Sequence, residues 1–310
     1  MTQKQCPFFG KCGGCRLDFM ADDYHVQKLK LLKNIPIMGD AVWVPAGLRR
    51  RADMAFAGGN FGLYENGTKN IIPVRSCPGL CKEINEILPK IAELPWCGAG
   101  ACLITKCDNG IDVAITSNVG YFSPDFRDAI CKLPLVRATW NDKIIKQTQQ
   151  PIINFDGHVV EYPAGAFLQP SIEGANALRK LVTDWADGYK RIADLFCGLG
   201  NFTFELNADG FDIVGTGVKR DLFKRPLTVG MLKNYDCVVM DPPRAGADAQ
   251  CKELVKSDVQ RIIYVSCNPV TFMRDLDTLK KGGYKLRTLI PVDQFVGSGH
   301  WELFAVFDKE

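Results

Sequence analysis

Hydrophobic and polar positions change rhythm along this chain near residues 163–165. Ahead of that point the texture is mixed. Leu17, Met20, Tyr24, Leu29 and Leu32 predict a helix over residues 16–35. Residues 49–74 turn strand-like, through the runs 52–57 and 61–64, with Asn66-Gly67 as a hairpin turn. A helix over 82–91 follows, then strands over 101–105 and 111–116 around Asp108-Asn109-Gly110. Beyond residue 165, a helix over 171–185 opens on Ser171 as its cap. Strands and helices then alternate. An apolar run passes through Asp194 into Gly198-Leu199-Gly200, and further strand-like runs cover 211–215, 235–240 and 262–266. The pattern predicts an α+β domain over 1–160 and a doubly wound α/β domain over 161–310.

The ends of those strands carry the candidate chemistry. Open α/β sheets bind their ligands at the carboxyl edge of the strands. One apolar run ends there in Asp241-Pro242-Pro243-Arg244, and another in Cys267-Asn268-Pro269. A carboxylate and a thiol are therefore expected in one site. The Gly198-Leu199-Gly200 turn suits the close approach of a nucleotide-like ligand, although the full Gly-x-Gly-x-x-Gly pattern of dinucleotide sites is missing.

Near the other end, Cys6, Cys12 and Cys15 form a tight thiol group, with Gly13-Gly14 inside a Cys-x2-Cys bite. Cys77 is the first candidate for a fourth ligand and Cys81 the second. Four thiolates suit zinc or an iron–sulfur cluster equally. The chain holds 13 cysteines but shows neither an export signal nor an apolar run long enough for a membrane span. Reduced thiols and a cytoplasmic location are expected. The net charge of +3 is too small to imply nucleic-acid binding by itself. The Arg49-Arg50-Arg51 run is a candidate phosphate contact and Phe295 a candidate stacking residue.

These signals occur together with Phe167-Leu168-Gln169 and Gly299-His300-Trp301-Glu302. In this order they resemble the bacterial RNA 5-methyluridine methyltransferases, enzymes that act on uracil carbon 5 in 23S rRNA or tRNA. The resemblance covers nearly the whole chain. It implies a Rossmann-like S-adenosylmethionine methyltransferase domain, preceded by an α+β domain carrying an iron–sulfur cluster. It also implies that Cys6, Cys12, Cys15 and Cys77 hold a [4Fe–4S] cluster. Gln169, Phe196, Gly198, Asn201, Asp221 and Asp241 would bind S-adenosylmethionine. Cys267 would be the nucleophile and Glu302 the general base, with His300 supporting the loop. Uracil carbon 5 is a poor nucleophile until a thiolate adds at carbon 6. A base must then remove the proton at carbon 5 so that the thiol can leave. RNA is the expected partner, with 23S rRNA favoured over tRNA, and the protein is expected to be a monomer.

Two departures from the family pattern stand out. The small N-terminal β-barrel of many relatives is expected to be absent. More seriously, the strand over 211–215 is followed after two residues by the run 218–223, which leaves no room for a crossover helix of at least about 10–12 residues. Thr216 or Gly217 then stands where the family has an acidic residue for the cofactor ribose. Weak cofactor binding and an uncovered apolar patch are expected. A rival reading is an RNA-binding protein on the same scaffold, catalytically impaired by this shortening.

Overall fold

The computed structural model describes residues 6–310. The chain begins with α1 (Tyr24–Leu29) and β1 (Val42–Trp43), then enters a mixed sheet. That sheet collects β2 (Arg51–Ala57), β3 (Asn60–Tyr64), β4 (Ile71–Ile72), β5 (Ala99–Cys107), β6 (Gly110–Ser117), β7 (Arg137–Trp140) and β8 (Lys143–Gln147). Their order is β4-β3-β2-β5-β6-β7-β8. Helices α2 (Lys82–Ala92) and α3 (Pro124–Lys132) contribute Ile84, Leu88, Phe126 and Ile130 to a core built on Phe56, Trp96 and Trp140. The Ser123 hydroxyl accepts from Phe126 N and starts α3. A ribbon of β9 (Ile152–Phe155) and β10 (His158–Glu161) leads to the second sheet.

The second sheet follows α4 (Ile172–Ala186), whose first turn is capped by Ser171 Oγ accepting from Gly174 N, as its sequence predicts. Its later strands are β11 (Ile192–Leu195), β12 (Asp209–Asp212), β13 (Val218–Lys219), β14 (Cys237–Met240), β15 (Arg261–Ser266), β16 (Tyr284–Asp293) and β17 (Glu302–Lys309). The spatial order is β13-β12-β11-β14-β15-β17-β16-β1, with β17 antiparallel to both neighbours. Helix α4 covers one face through Leu178 and Val182. Helices α7 (Asp248–Leu254) and α8 (Pro269–Lys281) cover the other through Leu254, Phe272 and Leu276, after the one-turn α5 (Thr203–Leu206) and α6 (Val229–Leu232). Because both faces are covered, β11 and β14 are buried at every position, which explains their continuous apolar runs.

Three expectations change. The predicted helix over 16–35 shrinks to α1 and a 3-10 turn over Lys30–Leu32. The segment before it bonds to a distant loop instead, through Arg16 N and Leu17 N to Gly297 O at 2.8 and 2.9 Å. Residues 42–43 also join the second sheet by pairing with β16 rather than remaining with the first.

The third change concerns the short connection. The second strand ends at Asp212, not near Gly215, because Asp209 to Phe211 take the register opposite Ala193 to Leu195. Acidic Asp212, rather than Thr216 or Gly217, therefore stands at the strand end. Residues 213–217 return to β13, which pairs in parallel through Val218 and Lys219. A two-residue strand needs a return of about 7 Å, which five residues span without a helix. Gly215 makes the turn at φ 99°. A Cβ at Gly215 would stand 1.8 Å from Gly198 O, so no larger residue fits. The missing helix leaves Ile213, Val214, Val218 and Phe223 exposed, the uncovered apolar patch expected from the sequence.

Candidate active site

The carboxyl edge of the second sheet gathers most of the predicted residues. Register alone brings Cys267 and Glu302 together. Ser266, the last residue of β15, pairs with Leu303 of β17, and the next positions across that antiparallel pair are Cys267 and Glu302. Glu302 also pairs with Val292 of β16. Asp241 follows β14, the strand between β11 and β15.

A continuous hydrogen-bonded row joins these ends. Gln169 Nε2 donates to Asp241 Oδ2 at 2.9 Å. Gln294 Nε2 donates to Gln169 Oε1 at 2.8 Å and to Glu302 Oε2 at 2.5 Å. Gln169, Gln294 and Glu302 are buried. Gln294 is a residue that sequence reasoning missed. No motif marks it, and its sole signal is a place just beyond the apolar run that leads to Gly299-His300-Trp301-Glu302.

Buried carboxyls set the electrostatics. Asp194 is pushed up to about 7 by burial, against the hydrogen bond from Thr203 Oγ1 at 2.6 Å. Asp241 is pushed up to about 7, by burial and then by Asp194. Glu302 is raised well above the usual carboxylate range by burial and then Asp241, while the hydrogen bond from Gln294 opposes the shift. Burial, Glu302 and Asp241 push the Cys267 thiol up to about 12, and Arg244 pulls it down. The Cys267 side chain is thus held as a thiol. Arg244 favours its ionisation and also faces His300, with Arg244 Nη2 to His300 Nε2 at 3.5 Å.

The loop between β16 and β17 is clamped from beneath. Lys28 Nζ lies 2.9 Å from Asp293 Oδ1, both side chains buried, and donates to the carbonyls of Phe295 and Ser298. Tyr24 OH donates to Asp293 Oδ2 at 2.5 Å and accepts from Gly297 N. Lys28 is thus a structural cation, one of the few that a core admits because it is fully partnered.

The S-adenosylmethionine expectation meets a divided set of residues. Space around the missing Cβ of Gly198 is open, which suits close ligand approach. Both side-chain polar atoms of Asn201 and Asp194 Oδ1 are buried without a protein partner. Phe196 adopts φ 61°, and its ring packs 5.4 Å from that of Phe223. These features leave room and polar groups for a ligand. Asp212, by contrast, is spent internally. Its carboxylate accepts from Gly198 N at 2.9 Å and from Ile213 N and Val214 N. Thr216 N donates to Gly198 O. Asp221 caps its own turn at Phe223 N and Lys224 N and is not drawn into the Gln169 row.

Among the described residues, no group of three or more His, Cys, Asp or Glu side chains stands ready to hold a metal ion. The four predicted thiols nevertheless influence one another electrostatically. Burial and then Cys77, Cys12 and Cys6 push Cys15 up to about 12. Cys77 is raised by burial and by Cys6 and Cys12, whereas Cys81 answers to Glu83 and Lys106. Thiolates are the ligating form, so a metal here would have to displace the thiol protons; as donors alone, four cysteines suit a metal centre. The Arg49-Arg50-Arg51 expectation is revised. Arg50 is buried with Nε on Gln169 O, and Arg51 Nη1 bonds Leu168 O, so two of the three brace the Gln169 segment; Arg49 remains exposed.

Comparison with known proteins places this geometry. The family profile described as tRNA (Uracil-5-)-methyltransferase matches residues 218–309. An uncharacterized RNA methyltransferase of Agrobacterium fabrum is 35% identical over 346 residues, covering 97% of this chain and 83% of its own. Another from Rhizobium meliloti is 33% identical over 347 residues, covering 97% and 83%. Both alignments exceed the chain's own 310 residues, so they are opened by gaps on this side. The fold is that of Pyrococcus abyssi tRNA (uracil-54, C5)-methyltransferase, solved with S-adenosyl-L-homocysteine, at a TM-score of 0.74 and 21% identity over 95% of this chain and 85% of that one. The chain belongs to the RNA uracil-C5 methyltransferase family.

Proposed function

We propose that this protein forms 5-methyluridine, with 23S rRNA as its substrate, using Cys267 as nucleophile and Glu302 as base. The observation that carries this reading is the β15–β17 register, which sets the two side chains at adjacent strand ends beside the Asp241 row. The Cys267 thiol first loses its proton to solvent; its thiolate Sγ then bonds carbon 6 of a uridine flipped from its stack, and the carbon 5–carbon 6 electron pair becomes available at carbon 5. S-adenosylmethionine supplies the electrophilic methyl group that carbon 5 takes. Glu302 then accepts the carbon 5 proton. The released pair restores the double bond, and the carbon–sulfur pair returns to Cys267 as thiolate.

Gln169, Phe196, Gly198, Asn201, Asp221 and Asp241 form the proposed cofactor set. Asn201 is its best-supported polar contact, because both its side-chain polar atoms are buried without protein partners. Cys6, Cys12, Cys15 and Cys77 are the proposed [4Fe–4S] ligands, within an RNA-facing unit over residues 1–160 that precedes the methyltransferase domain over 161–310. Iron content after anaerobic purification, compared between Cys77→Ser and Cys81→Ser, checks the fourth ligand. Loss of iron in the first variant alone is expected.

A second reading has its own observation. Asp212 and Gly198 are engaged by the return over 213–217, which supports an RNA-binding protein with impaired catalysis. One experiment separates the two. Anaerobically purified protein is given methyl-labelled cofactor and unmodified 23S rRNA or tRNA, beside Cys267→Ala. Label on uridine carbon 5 in rRNA, lost in the variant, supports the first reading. Label in tRNA alone would move the substrate. RNA retained without label would favour the second reading.

A further inference from the structure

Gln294 makes a connection that the reaction chemistry does not by itself require. Its carboxamide spends both amide protons, one on Gln169 Oε1 and one on Glu302 Oε2. Gln169 in turn spends a proton on Asp241 Oδ2. The polarity of the row follows from its ends. Asp241 and Glu302 accept, so each glutamine must present its nitrogen toward a carboxyl.

Three buried side chains thus form a carboxyl–amide–amide–carboxyl row with Asp241, from the cofactor edge to the base. Glu302 Oε2 is pinned, while Glu302 Oε1 is buried with no protein partner. Gln294 Oε1 is also buried and unpartnered. Space for this arrangement comes from α4. A Cβ at Gly174 would stand 2.9 Å from both Cβ and Oε1 of Gln294.

Resting on the methyltransferase reading above, we propose that Gln294 is a positioning residue. It holds Glu302 by one oxygen so that the other removes the carbon 5 proton, and ties that orientation to Gln169 and Asp241. The groups facing Glu302 explain why such a holder matters. Asp241 and burial both work against its charged form, the Cys267 thiol lies at the adjacent strand end, and Gln294 favours the charged form. Without Gln294, carbon 6 addition and methyl transfer still have their groups, but proton removal loses its oriented base. The covalent Cys267–RNA adduct should then outlive methyl transfer.

Gln294→Met tests this, since it keeps an unbranched chain and removes both donors. Gly174→Ala is the second variant, because it displaces the amide without deleting it and suits a helix. Denaturant-stable RNA–protein adduct, turnover against pH and melting temperature are measured for each. The expected result for Gln294→Met is a native-like melting temperature, methylated RNA trapped as adduct, and turnover down by about 10²-fold. Its acid limb moves to higher pH, because a lost donor to the carboxylate raises the base's pKa, and raising the pH releases the adduct.

A uniform loss of activity with no adduct and an unmoved acid limb would mean that Gln294 only packs. An unchanged rate would also overturn the proposal. Infrared titration of the carboxyl band that disappears in Glu302→Gln needs no turnover. Its midpoint should rise in Gln294→Met, and an unshifted midpoint would refute the contact. If wild type forms neither 5-methyluridine nor adduct, the methyltransferase reading falls, while the infrared result still decides the role of Gln294.

Discussion

The carboxyl edge of the second sheet has two halves built to different standards. On the β14–β15–β17–β16 side, largely buried strands place Asp241, Cys267, Glu302 and Gln294 at one edge, and each carboxyl has a named partner. On the β12–β13 side, the last strand has two residues, the return has five, and apolar Val214 and Val218 face solvent. Both halves belong to one sheet, joined through β11. On the proposed reading, the chemical step and cofactor affinity fall to separable parts of the edge. Losing cover at an edge strand costs local order, whereas the centre keeps its register because its strands are pinned on both sides.

The largest expected effect strikes the intact half. Cys267→Ala removes the nucleophile, and labelled methyl on uridine should fall to background. Glu302→Gln should lower turnover by about 10²–10⁴-fold while covalent RNA adduct accumulates. Equal loss of binding and turnover in either variant, with no adduct in the second, would mean that this half is scaffold rather than chemistry.

Charge burial gives the next contrast. Asp194 and Asp241 titrate near 7 in the folded chain, against about 3.9 when unfolded. Between roughly pH 4 and 7 the folded state therefore holds protons that the unfolded state has released. Stability from these groups is fully present below about pH 4 and lost as pH rises through 7. Thermal unfolding followed from pH 5 to 8 should show a falling melting temperature. Asp194→Asn or Asp241→Asn should flatten that slope; an unchanged slope would place the buried charge elsewhere.

Much of the intact half was legible because its signals are local. An apolar run followed by Asp241-Pro242-Pro243, or by Cys267-Asn268-Pro269, states both a strand end and its chemistry. Glu302 became legible through its company with Gly299-His300-Trp301. Gln294 was not, since its role depends on side chains 125 and 8 residues away. Asp212 was misplaced for a related reason. The run Phe211-Asp212-Ile213-Val214 looks like a strand, yet pairing with β11 stops the ladder at Phe211 and leaves Ile213 exposed. Arg50 read as part of a candidate phosphate contact, and only packing shows it buried on Gln169 O. Segment 16–35 looked helical because its apolar spacing serves contacts with the Gly297 loop and the second sheet instead.

Packing should show the same asymmetry. Ile263 lies in the centre of β15 and is fully buried, so Ile263→Ala should cost about 2–5 kcal/mol in denaturant unfolding. Val218 at the sheet edge is exposed, and Val218→Thr should change stability by no more than about 0.5 kcal/mol. A large loss at Val218 would mean that the short edge is packed against something, and the contrast between halves would weaken.

The smallest expected effect goes directly to the boundary between the halves. Asp212 stands at the second strand's end, where a free carboxylate could accept from ribose hydroxyls, but its oxygens already serve Gly198 N, Ile213 N and Val214 N. A hydrogen bond to a charged group contributes about 1.5–3 kcal/mol, so its loss to the ligand should weaken binding by roughly 10–100-fold. Calorimetric titration with S-adenosylhomocysteine should show this deficit relative to the Agrobacterium fabrum protein measured alongside. Asp212→Asn should then change affinity by less than about threefold, because the carboxylate is spent within the protein rather than on the ligand. A larger drop in that variant would show that Asp212 reaches the ligand when it binds, that the return over 213–217 opens to let it, and that the two halves are built to the same standard after all.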